Sequence, residues 1–397
     1  MRSSSVISLL VLLVAPAVVT APARSEAVDR GAARTQHAAG TWRRLPPAPI
    51  APVFETVGVW TGRQMLVFGR AQPKPPTSVD VAAAYTPATN TWRRLAPLAG
   101  PTGNYEGRYW TVWTGREMLV YGPFDFQAFN PAANRWRRVV PKGRSRGAGG
   151  LVVWTGREMI DWGGGCCGDA SSAGGAYDPT TNTWRPLASS PLAPSQRPIG
   201  AWTGTEVIVF VSGLDPDGNP YPARLARAAA YNPTTDTWRR IAPLPAPRED
   251  ATAVWDGSEV LVVGGAARTK HVTVGPWPLA RVGLAYNPAK NRWRKLPPMA
   301  SGRMDFASVW TGKELLVWGG RTTLGFSPQS PPTGLAYKPT TNRWSSLPQA
   351  PLLGRLGPTA VWTGQAMIVW GGWKLKKPEG SGSRSFSDGA AFTPARP

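Results

Sequence analysis

Arginine recurs at one place in this chain, a few residues before a Trp-x-Gly triplet. A guanidinium group presents a planar fork of donors that suits carboxylate, sulfate or phosphate. Six arginines occupy or flank this place: Arg108, Arg146, Arg197, Arg248, Arg303 and Arg355. On a ring of repeats they would surround one mouth, with Asp250 and Asp305 close by, and we expect them to bind an anion there. The alternative is that each arginine is a structural residue bonded to the carbonyls of a neighbouring repeat.

Aromatic and acidic residues accompany these arginines. Trp277 and Trp373 fall in loops, where an aromatic ring near basic groups fits sugar stacking or a protein hot spot. The alternative is that they plug the mouth or cover the core. Carboxylates near the same mouth have the chemistry for acid–base catalysis, or they are partners of the arginines. These carboxylates are Glu55, Glu106, Glu249, Asp250 and Asp305.

Histidine is too scarce for most metal or relay chemistry. The chain has two histidines, His37 near the N-terminus and His271 in a loop. A zinc site or a Ser-His-Asp relay needs histidines brought close to other ligands or to a nucleophile. We therefore expect no metal and no cofactor.

The two cysteines, Cys166 and Cys167, are adjacent and lie among glycines. In an oxidising compartment they have no third cysteine to pair with. Two free thiols, a bond to another molecule and a disulfide between neighbours remain open. We favour the disulfide between neighbours, because the flanking glycines permit a strained backbone.

The elements that hold these residues repeat seven times at a spacing of about 50 residues. Each repeat predicts four short antiparallel strands, separated by a Thr-Gly or Asp-Gly turn, a variable loop and a Tyr-x-Pro-x-x-Asn hairpin. Paired basic residues after the tryptophan of the fourth strand predict protection of exposed edges, or else an anion-binding belt. The triplets begin at Trp60, Trp113, Trp154, Trp202, Trp255, Trp310 and Trp362.

A mismatch between the two ends predicts how the ring closes. The tryptophans of the fourth strands include Trp42, which precedes the first triplet, whereas nothing equivalent follows Trp362. The C-terminus therefore supplies three strands of a blade, ending near Phe392, and residues 41–45 supply the fourth.

Over residues 40–397 the chain resembles the kelch-repeat, galactose-oxidase-like propellers. The resemblance rests on double glycines followed by Tyr…Trp pairs, and it is weaker where the double glycine is lost, after Phe68, Tyr121 and Phe210. It implies an all-β, seven-bladed kelch-type β-propeller, with a site on the face of the variable loops. The copper centre of galactose oxidase is held by histidine and tyrosine side chains, and we expect none here, because His37 lies before the propeller and His271 lies in a loop. The double glycines are Gly164-Gly165, Gly264-Gly265, Gly319-Gly320 and Gly371-Gly372.

Charge and the N-terminal residues bear on location and partners. Residues 1–27 carry an apolar run and small residues typical of a secretory signal peptide, and residues 28–39 are expected to be a flexible segment. The net charge of +22 favours polyanionic neighbours. We therefore expect a secreted, monomeric, non-catalytic binding module for an acidic polysaccharide, a wall polymer or an extracellular protein. Nucleic acid would bind only non-specifically, and no membrane span would remain after signal cleavage. The alternative is a cofactor-free carbohydrate-active enzyme resembling mutarotases or epimerases.

Overall fold

The computed structural model describes residues 39–74, 77–98, 109–122, 125–145, 147, 149–165, 169–212, 227–246, 248–266, 278–323, 329–375 and 383–395, with backbone alone at 54, 55, 72–74, 77 and 78. In this part of the chain the structure is all-β. It forms seven four-stranded antiparallel sheets, the blades of a propeller, and one separate two-stranded hairpin. No helix within the described ranges has the length and apolar composition that a bilayer crossing needs.

Blades 1 to 3 each use four strands in chain order. The strands of blade 1 are Val53–Trp60, Met65–Lys74, Thr77–Thr86 and Thr91–Arg94. Those of blade 2 are Trp110–Trp113, Met118–Tyr121, Phe126–Asn130 and Arg135–Arg138. Those of blade 3 are Gly149–Trp154, Met159–Gly164, Gly174–Asp178 and Thr183–Pro186.

Blades 4 to 6 repeat this order. The strands of blade 4 are Ile199–Trp202, Val207–Phe210, Ala228–Asn232 and Thr237–Arg240. Those of blade 5 are Thr252–Trp255, Val260–Val263, Val282–Asn287 and Arg292–Pro298. Those of blade 6 are Ala307–Trp310, Leu315–Trp318, Gly334–Lys338 and Arg343–Ser346.

Blade 7 joins the two ends of the propeller, which confirms the predicted closure. Its C-terminal strands are Thr359–Trp362, Met367–Trp370 and Gly389–Pro394, and the outermost strand is Gly40–Arg44. In the closing pair Trp42 lies opposite Phe392, and Gly40 lies opposite Pro394. The separate hairpin, Trp373–Leu375 with Ser383–Ser385, follows the second strand of this blade.

The alternation of strands gives the propeller two faces. The loops between second and third strands emerge together with the connections between blades, and we call this side the loop face. The turns between first and second strands share the other side, the turn face, with the hairpins between third and fourth strands. The binding site expected from the sequence would lie on the loop face.

The Tyr-x-Pro-x-x-Asn hairpins show why their residue types recur. In blade 6 the hydroxyl group of Tyr337 donates to Asn342 Oδ1 at 2.7 Å, and Asn342 has a φ of 51°. Asparagine tolerates this left-handed conformation. Blade 4 places Asp236, with a φ of 51°, in the same role beneath Tyr231. In the five blades that have this tyrosine, it ties the hairpin to the strand before it, whereas blades 2 and 7 have Phe129 and Phe392 at the same place.

Aromatic rings join each blade to the next. The tryptophan of a fourth strand packs on the residue near the end of the second strand of the preceding blade. Trp238 lies 6.0 Å from Trp162, and Trp42 lies 6.1 Å from Trp318, measured between ring centroids. The indole N–H of Trp42 also donates to the carbonyl of Pro348, at 2.9 Å, in the connection that leaves blade 6. Closure of the ring therefore buries aromatic surface that an open ring would expose.

Trp42→Ala tests the closing strand. We expect this change to lower the free energy of unfolding by about 3–5 kcal/mol, since it empties a packed site and removes an inter-blade hydrogen bond. Thr41→Ala in the same strand is the control, because that side chain is exposed, and its cost should stay within about 1 kcal/mol. Chemical denaturation measures both variants. Equal, small losses would mean that the terminal strand does not hold the ring closed.

Candidate functional site

Three of the arginines predicted to line the mouth are buried inside the blades. Arg248, Arg303 and Arg355 have exposed fractions of 5%, 3% and 0%. Each sits in the connection that leads into a first strand. It donates to carbonyls at the end of the second strand and near the start of the third strand of that same blade. They lie in connections on the loop face, and their donors point into protein.

Arg303 shows the arrangement in full. Its Nη1 donates to the carbonyls of Gly319 at 3.0 Å and Thr333 at 2.9 Å, and its Nη2 donates to Thr333 Oγ1 at 2.8 Å. Arg355 repeats this with Gly371 at 3.1 Å and adds the carboxylate of Asp388 at 2.7 Å. Burial lowers the pKa of Arg303 to about 10, which leaves the group charged at neutral pH. Its carbonyl partners therefore solvate a buried cation.

The double glycines complete a chain of contacts between blades. The N–H of Gly265 in blade 5 donates to the carbonyl of Arg303 at 2.8 Å, and that of Gly320 in blade 6 donates to the carbonyl of Arg355 at 2.9 Å. Arg303 and Arg355 thus each accept from the preceding blade through the backbone and donate within their own blade through the side chain. We call this the arginine–glycine link.

Glycine is required in this link. Gly264 has a φ of 67°, and a Cβ there would lie 2.5 Å from the carbonyl oxygen of Arg303. Gly320 has a φ of 79°, and its Cβ would lie 2.4 Å from the carbonyl oxygen of Met304. A side chain would meet both backbone strain and a clash.

The two aspartates are engaged with other arginines. Asp250 forms an ion pair with Arg197 from the preceding connection, and Asp305 pairs with Arg321 at 2.5 Å. Both aspartates adopt left-handed backbone conformations, with φ of 53° and 56°. Arg197 is the most exposed predicted arginine in the described part of the chain, with 57% of its side chain accessible.

Of the remaining predicted site residues, the structure describes only Trp373. Trp373 is half-buried in the separate hairpin, where its backbone bonds that of Leu356. Arg108, Arg146, Trp277, Cys166 and Cys167 lie outside the described residues. Anion binding at this mouth and the bond between the cysteines stay predictions. The structural alternative accounts for the contacts of Arg248, Arg303 and Arg355.

The basic pairs after the fourth-strand tryptophans have a role that sequence reasoning missed. In blades 2 to 5 the first arginine after the fourth-strand tryptophan forms an ion pair with a glutamate. This glutamate lies in the turn between the first and second strands of the same blade. Arg294, for example, reaches Glu259 at 2.6 Å and the hydroxyl group of Tyr337 in the next blade at 3.4 Å. The sequence feature that indicates this pairing is a glutamate two residues after the turn glycine. The four pairs are Arg137–Glu117, Arg185–Glu158, Arg239–Glu206 and Arg294–Glu259.

A buried carboxyl group lies between blades 2 and 3. Asp161 is 0% exposed and accepts hydrogen bonds from Tyr121 at 2.9 Å, Ser145 at 2.7 Å and the N–H of Gly149 at 3.2 Å. Burial is the largest influence and raises its pKa to about 6, against the opposing effect of these donors. Burial and the nearby Asp161 also raise the pKa of Tyr121. The Asp161 carboxyl group itself is therefore enclosed by protein, while Tyr121 and Ser145 are half-buried.

The turn face carries a cleft of about 1350 Å³. It extends from the first turns of blades 7, 1 and 2 to the outer hairpins of blades 1 and 2. Its lining includes Trp60, Trp113, Arg63, Arg93 and Arg116. Among the described residues no group of three or more His, Cys, Asp or Glu side chains forms a candidate metal site, here or on the loop face.

The chain is thus a seven-bladed propeller in which the described arginines and aspartates of the loop face contact other protein groups. No family model matches the chain. Part of it is similar to Kelch-like protein 25: 30% identity over 142 residues with the Xenopus tropicalis and Homo sapiens proteins, covering 34% of this chain and 23% of theirs. Beta-scruin of Limulus polyphemus is 27% identical over 113 residues, covering 28% of this chain and 12% of its own. Each match therefore spans less than a quarter of the relative's length.

These similarities and the seven blades together show that the chain is a kelch-repeat propeller. The double glycines, the Tyr…Trp pairs and the four-stranded blades are where the sequence analysis placed them.

Arg303→Ala tests the arginine–glycine link. We expect a loss of about 3 kcal/mol in the free energy of unfolding, because charge-assisted hydrogen bonds are lost and buried carbonyls are left unpaired. Arg157→Ala is the control, since its side chain is exposed on the turn face. Urea denaturation gives both values. Full stability in Arg303→Ala, combined with weaker binding of an anionic ligand, would favour the anion-binding ring instead.

The Asp161 carboxyl group predicts a pH dependence of stability. Its folded-state pKa of about 6 lies above the ordinary 3.8, so the folded protein holds this proton more tightly than the unfolded chain. Stability therefore rises as the pH falls through about 6. Between about pH 7.5 and 5.5, wild type should gain about 1 kcal/mol relative to Asp161→Asn, which has no such titration. A stability difference that is constant or shrinks on acidification would contradict this.

Proposed function

We propose that this kelch-repeat propeller is a non-catalytic, extracytoplasmic binding module for an acidic partner: an acidic glycan, a wall polymer or an extracellular protein. Export rests on the predicted signal peptide, residues 1–27. The propeller architecture supports a binding role, because a closed ring of sheets is a rigid base for variable loops and turns.

The observation that carries the proposal is the distribution of unpaired charge. The described carboxylates are largely held in ion pairs with arginine, so they contribute little free negative charge to the surface. They include Asp80, Glu117, Asp125, Glu158, Glu206, Asp236, Asp250, Glu259, Asp305 and Asp388.

Cations remain in excess on the turn face. Arg63, Arg116, Arg157 and Lys313 occupy the residue after the turn glycine, and all four are exposed. The turn face therefore presents a positive field toward solvent, which attracts polyanions and raises their association rate.

The enzyme alternative requires an acid or base that touches a sugar. The carboxyl group with the most strongly raised pKa among the described residues is Asp161, and it is completely buried between two blades. The aspartates near the predicted mouth are held by Arg197 and Arg321. Both observations favour binding over acid–base catalysis.

The test is a glycan array with uronate, sulfated, phosphorylated and neutral members, probed with the chain that begins at residue 28. An acidic polypeptide, poly-glutamate, is spotted beside them. We expect retention on anionic members only, with affinity falling at least tenfold between about 50 and 200 mM salt. Binding to neutral glycans alone, or to no member at either salt concentration, would overturn the proposal.

A further inference from the structure

The cleft on the turn face lies where the repeat departs from its own pattern. Blades 2 to 5 place a glutamate two residues after the turn glycine, paired with a fourth-strand arginine. Blade 1 has Gln64 at this place, and blade 7 has Ala366. Both blades contribute to the cleft. The carboxylates that neutralise arginines elsewhere are therefore replaced at this site.

The replacement leaves Arg93 without a glutamate in the first turn of its own blade. Arg63 and Arg116 line the same cleft, whose lining contains no Asp or Glu. Arg63 and Arg116 are exposed, and Arg93 donates to the neutral side chain of Asn134 at 2.8 Å. Gln64, which occupies the glutamate position, donates to Thr86 Oγ1 at 2.7 Å. The nearest glutamate along the chain, Glu117, is held by Arg137 at 2.7 Å.

Neutral groups in the lining define what kind of anion fits. Trp60 and Trp113 are half-buried, and the faces of such rings suit stacking against a sugar. Gln365 adds an amide donor and an amide acceptor, which match the hydroxyl groups of a carbohydrate. Asn130 adds an amide donor, since its Oδ1 accepts from the N–H groups of Ala132 and Ala133. The volume of about 1350 Å³ exceeds the roughly 300–1,000 Å³ usual for a small-molecule site, so more than one sugar ring fits.

An acidic peptide would share the charge but not the remaining contacts. Apart from the two tryptophans, the apolar lining consists of prolines and alanines in the hairpins: Pro87, Ala88, Pro131 and Ala132. These small residues form no deep pocket for the side chains of a peptide. Charge and polarity together therefore select a hydroxyl-rich anion.

We propose that this cleft, formed by blades 7, 1 and 2 on the turn face, binds an acidic oligosaccharide through Arg63, Arg93 and Arg116. This rests on the proposed function and assigns it to the face opposite the predicted mouth. The ligand carries carboxylate groups on its sugar rings, as an oligouronate does. The arginines contact the carboxylates, and the tryptophans contact the rings.

Calorimetry with a purified oligouronate of defined length tests the site, with its neutral methyl ester and a poly-glutamate of equal charge as comparison probes. Arg63→Ala and Arg116→Ala should each weaken oligouronate binding about tenfold, the effect of losing one charge-assisted hydrogen bond. Arg157→Ala and Lys313→Ala are matched controls, because they remove a cation at the same turn position outside the cleft. Both should bind like wild type.

Gln64→Glu separates binding from folding. It restores the glutamate of the repeat beside Arg93, so the protein should be at least as stable as wild type, by analogy with Arg239–Glu206 at 2.6 Å. Oligouronate affinity should nevertheless fall about tenfold, because a carboxylate now occupies the anion site. A variant that folds better and binds worse cannot be explained by damage to the structure.

The outcomes distinguish this inference from the proposed function. Equal losses of oligouronate affinity in Arg63→Ala and Arg157→Ala would mean that the general charge of the protein causes the binding. That result would overturn the assignment of the site to the cleft, while the proposed function stands. Cleft-dependent binding of poly-glutamate without oligouronate binding would overturn the assigned ligand class. Absence of binding to every anionic probe, at low salt and in wild type, would overturn both proposals.

Discussion

Each blade can bury its two faces only against its neighbours, and this constraint explains most of the recurring residues. A four-stranded sheet on its own would expose aromatic and aliphatic side chains on both sides. The contacts between blades are therefore repeated around the ring: tryptophan on the preceding second strand, fourth-strand arginine on the tyrosine of the next blade, and arginine with the double glycine. Closure by Gly40–Arg44 supplies the last of these interfaces. Polar residues that first suggest chemistry are largely part of the same system.

The fold was predictable because its signals are repeated and in phase. The period of about 50 residues indicates the blade, and the position of Trp42 ahead of the first triplet indicates the shared blade. The site was not predictable in the same way. Equal spacing from a tryptophan places Arg248, Arg303 and Arg355 at equivalent positions, but it does not say whether their guanidinium groups point to solvent or into the sheet. The double glycine one blade earlier, which packs against the backbone of Arg303 and Arg355, was the signal for a structural role.

In a repeat protein the departures from the pattern are the informative residues. A feature present in nearly every blade serves what the blades have in common, which is packing. Gln64 and Ala366 break the arginine–glutamate pairing in neighbouring blades, and they do so beside a cleft. A single sequence contains several copies of the unit and so offers its own comparison. The mismatch could have been found from the turns alone, by aligning the seven copies.

The closing pair of strands also determines how the molecule responds to tension. Gly40 lies opposite Pro394 at the point where the chain enters and leaves the ring. A force that separates these two ends acts first on this outermost pair and then on each pair in succession, since the strands are antiparallel. The hydrogen bonds break one at a time instead of sharing the load. The strand pair that completes the ring at rest is thus its mechanically weakest point, and stretching would open the propeller at blade 7 before any other blade is disturbed.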